Sequence, residues 1–360
     1  MQRNRILKLV SLFIFTLSFI SCNLEKEDNV TKAAKQAERK AYIQHHLQDS
    51  YDFNLFSYKK EDGQKEYVGF SLPIILWDNG LQVFSSSKFH HGETLAEAGG
   101  NHYKLYHGKI YKTDAEGTIN NDKEHHTTNN KPLDLSVTKG VVMIILTGLL
   151  MFLLNGGIAK GIGRFFEPII LYIRDDIAIP NIGEKKYMKY MPFLLTVFFF
   201  IWFLNIFGLT PLGVNVTGNI AVTASLALLT FLLTNFTGTK YYWKHIFDPL
   251  GNSMPWIAKI PLYIILIPIE VLGIFIKPFS LLIRLYANMQ AGHIVLMSLI
   301  GLIFLFRTWM GGVMSFGLAF AISLIEILVA LLQAYIFTML SALYFGFAAE
   351  DHDHAEEHEG

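Results

Sequence analysis

Between residues 191 and 349 the chain carries only nine Asp, Glu, Lys or Arg residues. A soluble domain of that length leaves many positions on a solvated surface and fills them with charge, so so sparse a stretch specifies a polytopic membrane region. Hydropathy places spans near 140–159, 192–212 and 217–237, followed by two longer apolar stretches at 261–306 and 312–349. An upright crossing needs about 20 residues, so the last two helices must tilt steeply, break or lie partly along the membrane. Pro268 and Pro278 are the expected kink points. The expected fold is an all-α membrane protein of about five membrane helices, the last two long and steeply tilted, with a small exported N-terminal domain.

The N-terminus begins with Arg3, Arg5 and Lys8, continues with an apolar run from Leu9 to Ile20, and then reaches Ser21 and Cys22. That run is too short to cross a bilayer and has the three-part form of an export signal, expected over residues 1–22. Cys22 is the only cysteine, which excludes an internal disulfide. Its place after Phe19, Ile20 and Ser21 resembles a bacterial lipoprotein cleavage site and would mark lipidation, although Leu is preferred where Phe19 stands. A cysteine left over in the signal region is the other reading.

Residues 23–135 read as an exported polar domain and linker, 136–349 as the membrane domain and 350–360 as a solvated His- and acid-rich tail. Within the exported part, the runs Tyr67 to Trp77 and Leu81 to Phe84 flank Asp78-Asn79-Gly80, which predicts a β-hairpin because Asn and Gly tolerate the positive φ of a tight turn. Residues 113–132 lack apolar periodicity and read as a linker. The pairs His45-His46, His90-His91 and His125-His126 have no Cys or Glu at ligand spacing and read as solvated, so no metal is expected. No cofactor and no nucleic-acid partner are expected either.

Lys160, Arg164, Lys185, Lys186 and Lys189 lie between the first and second spans, and Lys240, Lys244 and Lys259 between the third and fourth. The loop 210–218 carries no charge. By the positive-inside rule the two basic loops are cytoplasmic, so in this multi-pass protein the N-terminal domain is outside and the tail from Glu350 inside. The export signal implies the same orientation.

The fourth stretch places Glu270, Lys277 and Arg284 seven residues apart amid Ile, Leu, Val and Phe. On an α-helix they form one stripe that drifts about 20° per step, and Asn288 lies close to it. The fifth stretch repeats the device with Glu326, Gln333 and Tyr344, separated by seven and eleven residues. Snorkelling to the headgroups suits Lys277. It suits Arg284 poorly, because at mid-membrane an unpaired charge costs at least about 2.5 to 3.5 kcal/mol. The acids available within the membrane region are Glu270 and Glu326, so a carboxylate on another subunit is the alternative partner.

KPFSLLIRLYANMQAGH, from Lys277 to His293, closely resembles the signature of subunit a of F-type ATP synthases. LLQAYIF, from Leu331 to Phe337, resembles the last-helix motif of that family, and NIFGLTP, from Asn205 to Pro211, its second-span pattern. The chain departs from the family in one respect. Many members place an acid after the Ala-Gly pair and a histidine seven residues before the glutamine, whereas here His293 and Glu326 exchange those roles. The exchange keeps an acid and an imidazole as a set. On a straight helix His293 points about 180° from Arg284, which puts it on an access route rather than on the rotor face.

The resemblance implies a proton-translocating stator beside a ring of c subunits, each with a mid-membrane carboxyl group. A neutral carboxyl travels through lipid and an ionised one does not. Arg284 would favour the ionised form locally, and arginine does not release its proton, so it blocks leakage between two half-channels without acting as a relay. The positions of Glu270, Asn288, His293, Glu326 and Gln333 take relay or water-lining roles, with helix-helix hydrogen bonding as the plainer alternative. Lys277, Ser280 and Tyr344 support the helix face. Each proton supplies about 2.3 kcal/mol per 100 mV, so several must pass per ATP. The implied partners are the c ring, the b subunits of the peripheral stalk, the remaining synthase subunits and the lipid bilayer.

A secondary transporter or ion channel would use the same buried charges, but paired broken helices in internal repeats are absent from the sequence. A lipid-anchored scaffold would leave the polar stripes without purpose. There is no GxxxxGK[ST] loop, so the chain is not expected to be catalytic on its own, and ATP chemistry belongs to partner subunits.

Overall fold

The structure, a computed structural model, describes residues 49–59, 65–92, 94–122, 127–155, 162–210, 215–248, 250, 256–305 and 309–350. The expected export signal with Cys22, the pairs His45-His46 and His125-His126, and the tail 351–360 lie outside the described residues.

Strands β1 (Asp52–Lys59) and β2 (Lys65–Ser71) form one antiparallel pair. β3 (Pro73–Trp77) lies between β4 (Leu81–Ser85) and β8 (Leu133–Asp134), while β5 (Ala96–Ala98), β6 (Asn101–Tyr106) and β7 (Lys109–Thr113) make a third sheet. The expected hairpin is present as β3 and β4, with Trp77 opposite Leu81 and with Asn79 at φ 52° and Gly80 at φ 130° in its turn. The run 67–77 is not one strand: Pro73, which has no N–H for a ladder, starts a new one. Side chains alternate along β3, so Ile74 and Leu76 are enclosed with Phe84, Phe89, Tyr103 and Ile110 while Trp77 is exposed. In the segment 113–132, expected as a linker, the described residues 113–122 and 127–132 fold back on this domain: the Lys112 N–H donates to the Asn130 carbonyl at 2.9 Å and the Thr128 N–H to the Asn120 carbonyl at 2.8 Å.

Asp78, next to the hairpin turn, accepts a hydrogen bond from the Tyr103 hydroxyl at 3.0 Å and pairs with Lys112 at 2.9 Å. The Lys112 hydrogen bond, more than offsetting burial, holds the Asp78 carboxyl below the usual carboxylate range. A carboxyl depressed on folding stabilises the fold above its unfolded value near pH 4, and that contribution is lost as pH falls through the lower folded value. Protease resistance of the domain in intact membranes is therefore expected to fall below about pH 4, and Asp78→Asn to flatten that acid limb while costing about 1–2 kcal/mol at neutral pH.

Helix α1 (Lys139–Asn155) is apolar but shorter than the other membrane helices. α2 (Ile162–Tyr172) continues through a π-helical turn (Ile173–Ala178) into α3 (Ile179–Ile182). α4 (Tyr187–Leu209) and α5 (Ile220–Thr237) are single spans, and α6 (Lys240–Phe247) is short and carries Lys244 and His245 in its last turn. α7 (Trp256–Leu305) has 50 residues and α8 (Trp309–Ala349) has 41. At 1.5 Å per residue they extend about 75 and 62 Å, at least twice a hydrocarbon core of about 30 Å, so neither crosses upright. Pro261, Pro268 and Pro278 lie inside α7 without interrupting it. Four helices among the described residues are long and apolar enough to span, with α1 as a shorter fifth.

The membrane core joins Ile173, Ile177 and Ala178 to Leu194, Phe198 and Ile201 of α4, Leu281 and Leu285 of α7, and Ala334, Phe337, Ala342 and Phe345 of α8. Small residues on α8 let backbones approach closely, as membrane interfaces require. The closest approach is at Gly346, where an added Cβ would stand 1.9 Å from the Asn181 carbonyl oxygen. That neighbour is backbone and cannot swing aside. Gly346→Ala is thus expected to cost about 1–3 kcal/mol or more and to lower the amount of chain recovered in membranes. The C-terminal carbonyls of α8 are held by the Lys186 ammonium on Ala349 and the Thr239 N–H on Ala348, at 2.5 and 2.9 Å.

Candidate functional site

α7 and α8 run antiparallel and bring their polar residues together. The Asn288 side-chain amide donates to Gln333 Oε1 at 2.8 Å. Eleven residues back on α7 and eleven forward on α8, the Lys277 ammonium lies 5.6 Å from the Tyr344 ring centre and 5.3 Å from that of Phe347. Two pairs drawn from the stripes read in the sequence, Asn288 with Gln333 and Lys277 with Tyr344, therefore meet across the two helices.

Arg284, between those contacts, is exposed on the outside of the pair, and no carboxylate among the described residues pairs with it. Its surroundings are apolar: Phe279 is 60% exposed and Ile283 45% exposed on its own helix, near the middle of the apolar segment 260–301. Neither Glu270 nor Glu326 is its partner.

Toward the α1 and α4 termini nearest the β domain, the polar atoms are buried. His293 is 2% exposed, and its Nε2 lies 3.2 Å from the Gly208 carbonyl near the end of α4. Its Nδ1 is buried without a hydrogen-bond partner. Glu326 has both carboxyl oxygens buried without a hydrogen-bond partner. Its Oε1 occupies the place beside Gly292 where a Cβ would come within 2.5 Å. The acid and the imidazole thus meet adjacent residues of α7 from two sides: the carboxyl rests on Gly292, while the ring of His293 turns to α4. They make no hydrogen bond to each other. Nearby, Thr217 donates to Asn205 Oδ1 at 2.6 Å, and Asn215 donates to Gln290 Oε1 at 3.3 Å. Asn205 Nδ2 is also buried without a partner.

At the opposite end, half-buried Glu270 acts electrostatically on Lys277 and Tyr242. Lys277, Tyr344, Tyr242, Thr230, Thr234 and Asn235 line a small, half-open cleft among α5, α6, α7 and α8. Ser280 is half-buried on α7 close by. Among the described residues no group of three His, Cys, Asp or Glu could hold a metal ion.

Residues 136–346 match the family model described as ATP synthase A chain. That stretch includes both polar stripes, Arg284 and the α4 end. The chain belongs to the ATP synthase A-chain family. It is 44% identical over 241 residues to ATP synthase subunit a of Myxococcus xanthus (strain DK1622), covering 63% of this chain and 77% of that protein. To ATP synthase subunit a of Chloroherpeton thalassium it is 43% identical over 244 residues, covering 63% and 71%. Residues 42–135 match a separate model described as a domain of unknown function (DUF8433). As an A-chain family member the protein is a non-catalytic, multi-pass inner-membrane subunit that associates with other ATP synthase subunits.

Asn215, Thr217 and Gln290 were not singled out in the sequence of this A chain. They are uncharged, and their pairings join positions 12 and 75 residues apart. The available signal was the polar run 215–219 standing between two apolar spans.

Proposed function

We propose that this proton-translocating Fo subunit works as a stator with two offset half-channels, and that Arg284 faces a carboxyl group on a neighbouring ring of c subunits. The observation that carries this reading is an exposed, unpaired arginine in the middle of a long apolar helix. Its cost at that depth is offset only when a second molecule supplies the counter-charge. A guanidinium fixed there favours the ionised form of a passing carboxyl, which must give up its proton and cannot carry it past the arginine.

The outer half-channel runs along Asn205, Thr217, Gln290, His293 and Glu326 to the Asn288–Gln333 pair. It is supported by the buried atoms there that lack partners, since such groups cost about 1–3 kcal/mol each unless water or a moving proton satisfies them. The inner half-channel is the cleft at Lys277 and Tyr344, with Glu270 at its side. In this orientation the β domain is periplasmic and the C-terminus cytoplasmic, as the basic loops require. The b subunits of the peripheral stalk hold the stator against the ring's torque.

Cross-linking tests the reading. Ala287→Cys lies on the exposed face one turn from Arg284. Paired with a single cysteine on the carboxyl-bearing helix of subunit c, it is expected to form a disulfide on oxidation of assembled membranes. A face that meets lipid alone would give none.

A further inference from the structure

The β domain is joined to the membrane domain by a built contact rather than a tether. Asp49 caps α1, its carboxylate accepting from the Thr138 hydroxyl at 2.7 Å and the Gly140 N–H at 2.9 Å. The Lys139 N–H donates to the Ser50 carbonyl at 2.8 Å and the Val137 N–H to the Pro73 carbonyl at 3.1 Å. The Lys139 ammonium adds a hydrogen bond to the Asn54 carbonyl at 3.1 Å. Beneath these bonds, Phe53 of β1 and Leu72 enter one buried cluster with Met143 of α1, Leu204 of α4 and Val216. Phe207 and Val222 pack on the same cluster.

The chain positions of these contacts tie the cluster to the polar site. Leu204 immediately precedes Asn205, and Val216 immediately precedes Thr217, the two residues joined by the 2.6 Å hydrogen bond. Gly208, whose carbonyl faces the His293 ring, follows one turn after Leu204 on the same helix. Val216 and Thr217 belong to no helix; a turn bond from the Asn219 N–H to the Val216 carbonyl at 3.0 Å, the Thr217–Asn205 bond and the packing of Val216 in the cluster fix where they stand.

We infer that this domain is a clamp: through Phe53 and Leu72 it holds the outer end of α4 against the segment before α5 and so positions Asn205, Thr217 and His293 at the outer mouth of the proton path. The inference rests on the half-channel reading above. Phe53 and Leu72 are positioning residues and meet no proton themselves. Domain and channel mouth form one mechanical unit, which accounts for an extracytoplasmic module sitting on a subunit whose chemistry lies within the membrane.

The test uses the whole synthase in native membranes, with Phe53→Ala combined with Leu72→Ala. Assembly is scored first, by the chain present and ATPase bound. Passive proton flux through Fo is then driven by a potassium diffusion potential, across a series of pH values on the periplasmic side. The expected result is at least a fivefold fall in flux with a shifted pH profile, both restored by Phe53→Leu combined with Leu72→Met. Thr217→Val should shift the profile in the same way. Unchanged flux and pH profile in an assembled double variant would overturn the clamp. Should the double variant not assemble, Leu72→Ala alone is read by the same two outcomes. Arg284→Ala, run beside them, separates the two claims: normal pumping there removes the half-channel reading, whereas lost pumping there with unaltered clamp variants removes the clamp alone.

Discussion

Glu326→Gln is expected to lower ATP-driven proton pumping by about a hundredfold while the complex still assembles. Glutamine has nearly the volume of glutamate, so the packing beside Gly292 survives the exchange. What is lost is a group that can take up and release a proton. Both carboxyl oxygens are buried without partners, and a structural carboxylate in that state would be an unredeemed cost. The proposed relay role would explain why the sequence tolerates it. Gly292→Ala makes the complementary change, leaving the acid in place but bringing a methyl group within 2.5 Å of Oε1. It should slow pumping less than the glutamine does, because a side-chain end can move where a missing proton cannot be replaced. Fluorescence quenching of a pH-sensitive dye in inverted vesicles reads both variants, with ATP hydrolysis recorded alongside. Wild-type pumping by Glu326→Gln would reduce the residue to a packing element.

The parts of this molecule that could be read in the sequence are those where physical cost is high. A charge at mid-membrane is expensive enough that Arg284 stood out at once, and regular spacing was sufficient to place a polar stripe on each of α7 and α8. The turn at Asn79 and Gly80 was legible because few residues accept positive φ. The rest of the β domain was not, since β5, β6 and β7 are short and largely polar and owe their place to Tyr103 and Ile110 in a shared core. Pro268 and Pro278, the expected kink points, and Pro261 all lie inside α7, which continues through them because membrane packing tolerates the missing hydrogen bonds. The direction of His293 away from Arg284 followed from helical geometry, but its acceptor, the Gly208 carbonyl 85 positions earlier, is a tertiary fact. The same holds for Asn215 with Gln290.

Arg284→Ala carries the largest expected effect. The substitution removes the only cation on the exposed face of α7 between the two polar contacts, with no local ion pair to break and no buried packing to lose. The chain should therefore insert and assemble at normal levels, and any defect belongs to the chemistry. On the proposed mechanism, a passing carboxyl without the guanidinium would stay protonated and cross between the half-channels without being forced to discharge, so rotation would uncouple from transport. Arg284→Lys restores a positive charge but not a planar, weakly hydrated one that keeps its proton, and should recover little. The decisive measurement is the proton gradient formed on ATP addition by inverted vesicles holding the assembled Arg284→Ala complex. The expected result is a gradient at least a hundredfold slower to form than in wild type, with the chain and its partner subunits present in normal amounts; a gradient forming at the wild-type rate would contradict the role assigned to this residue.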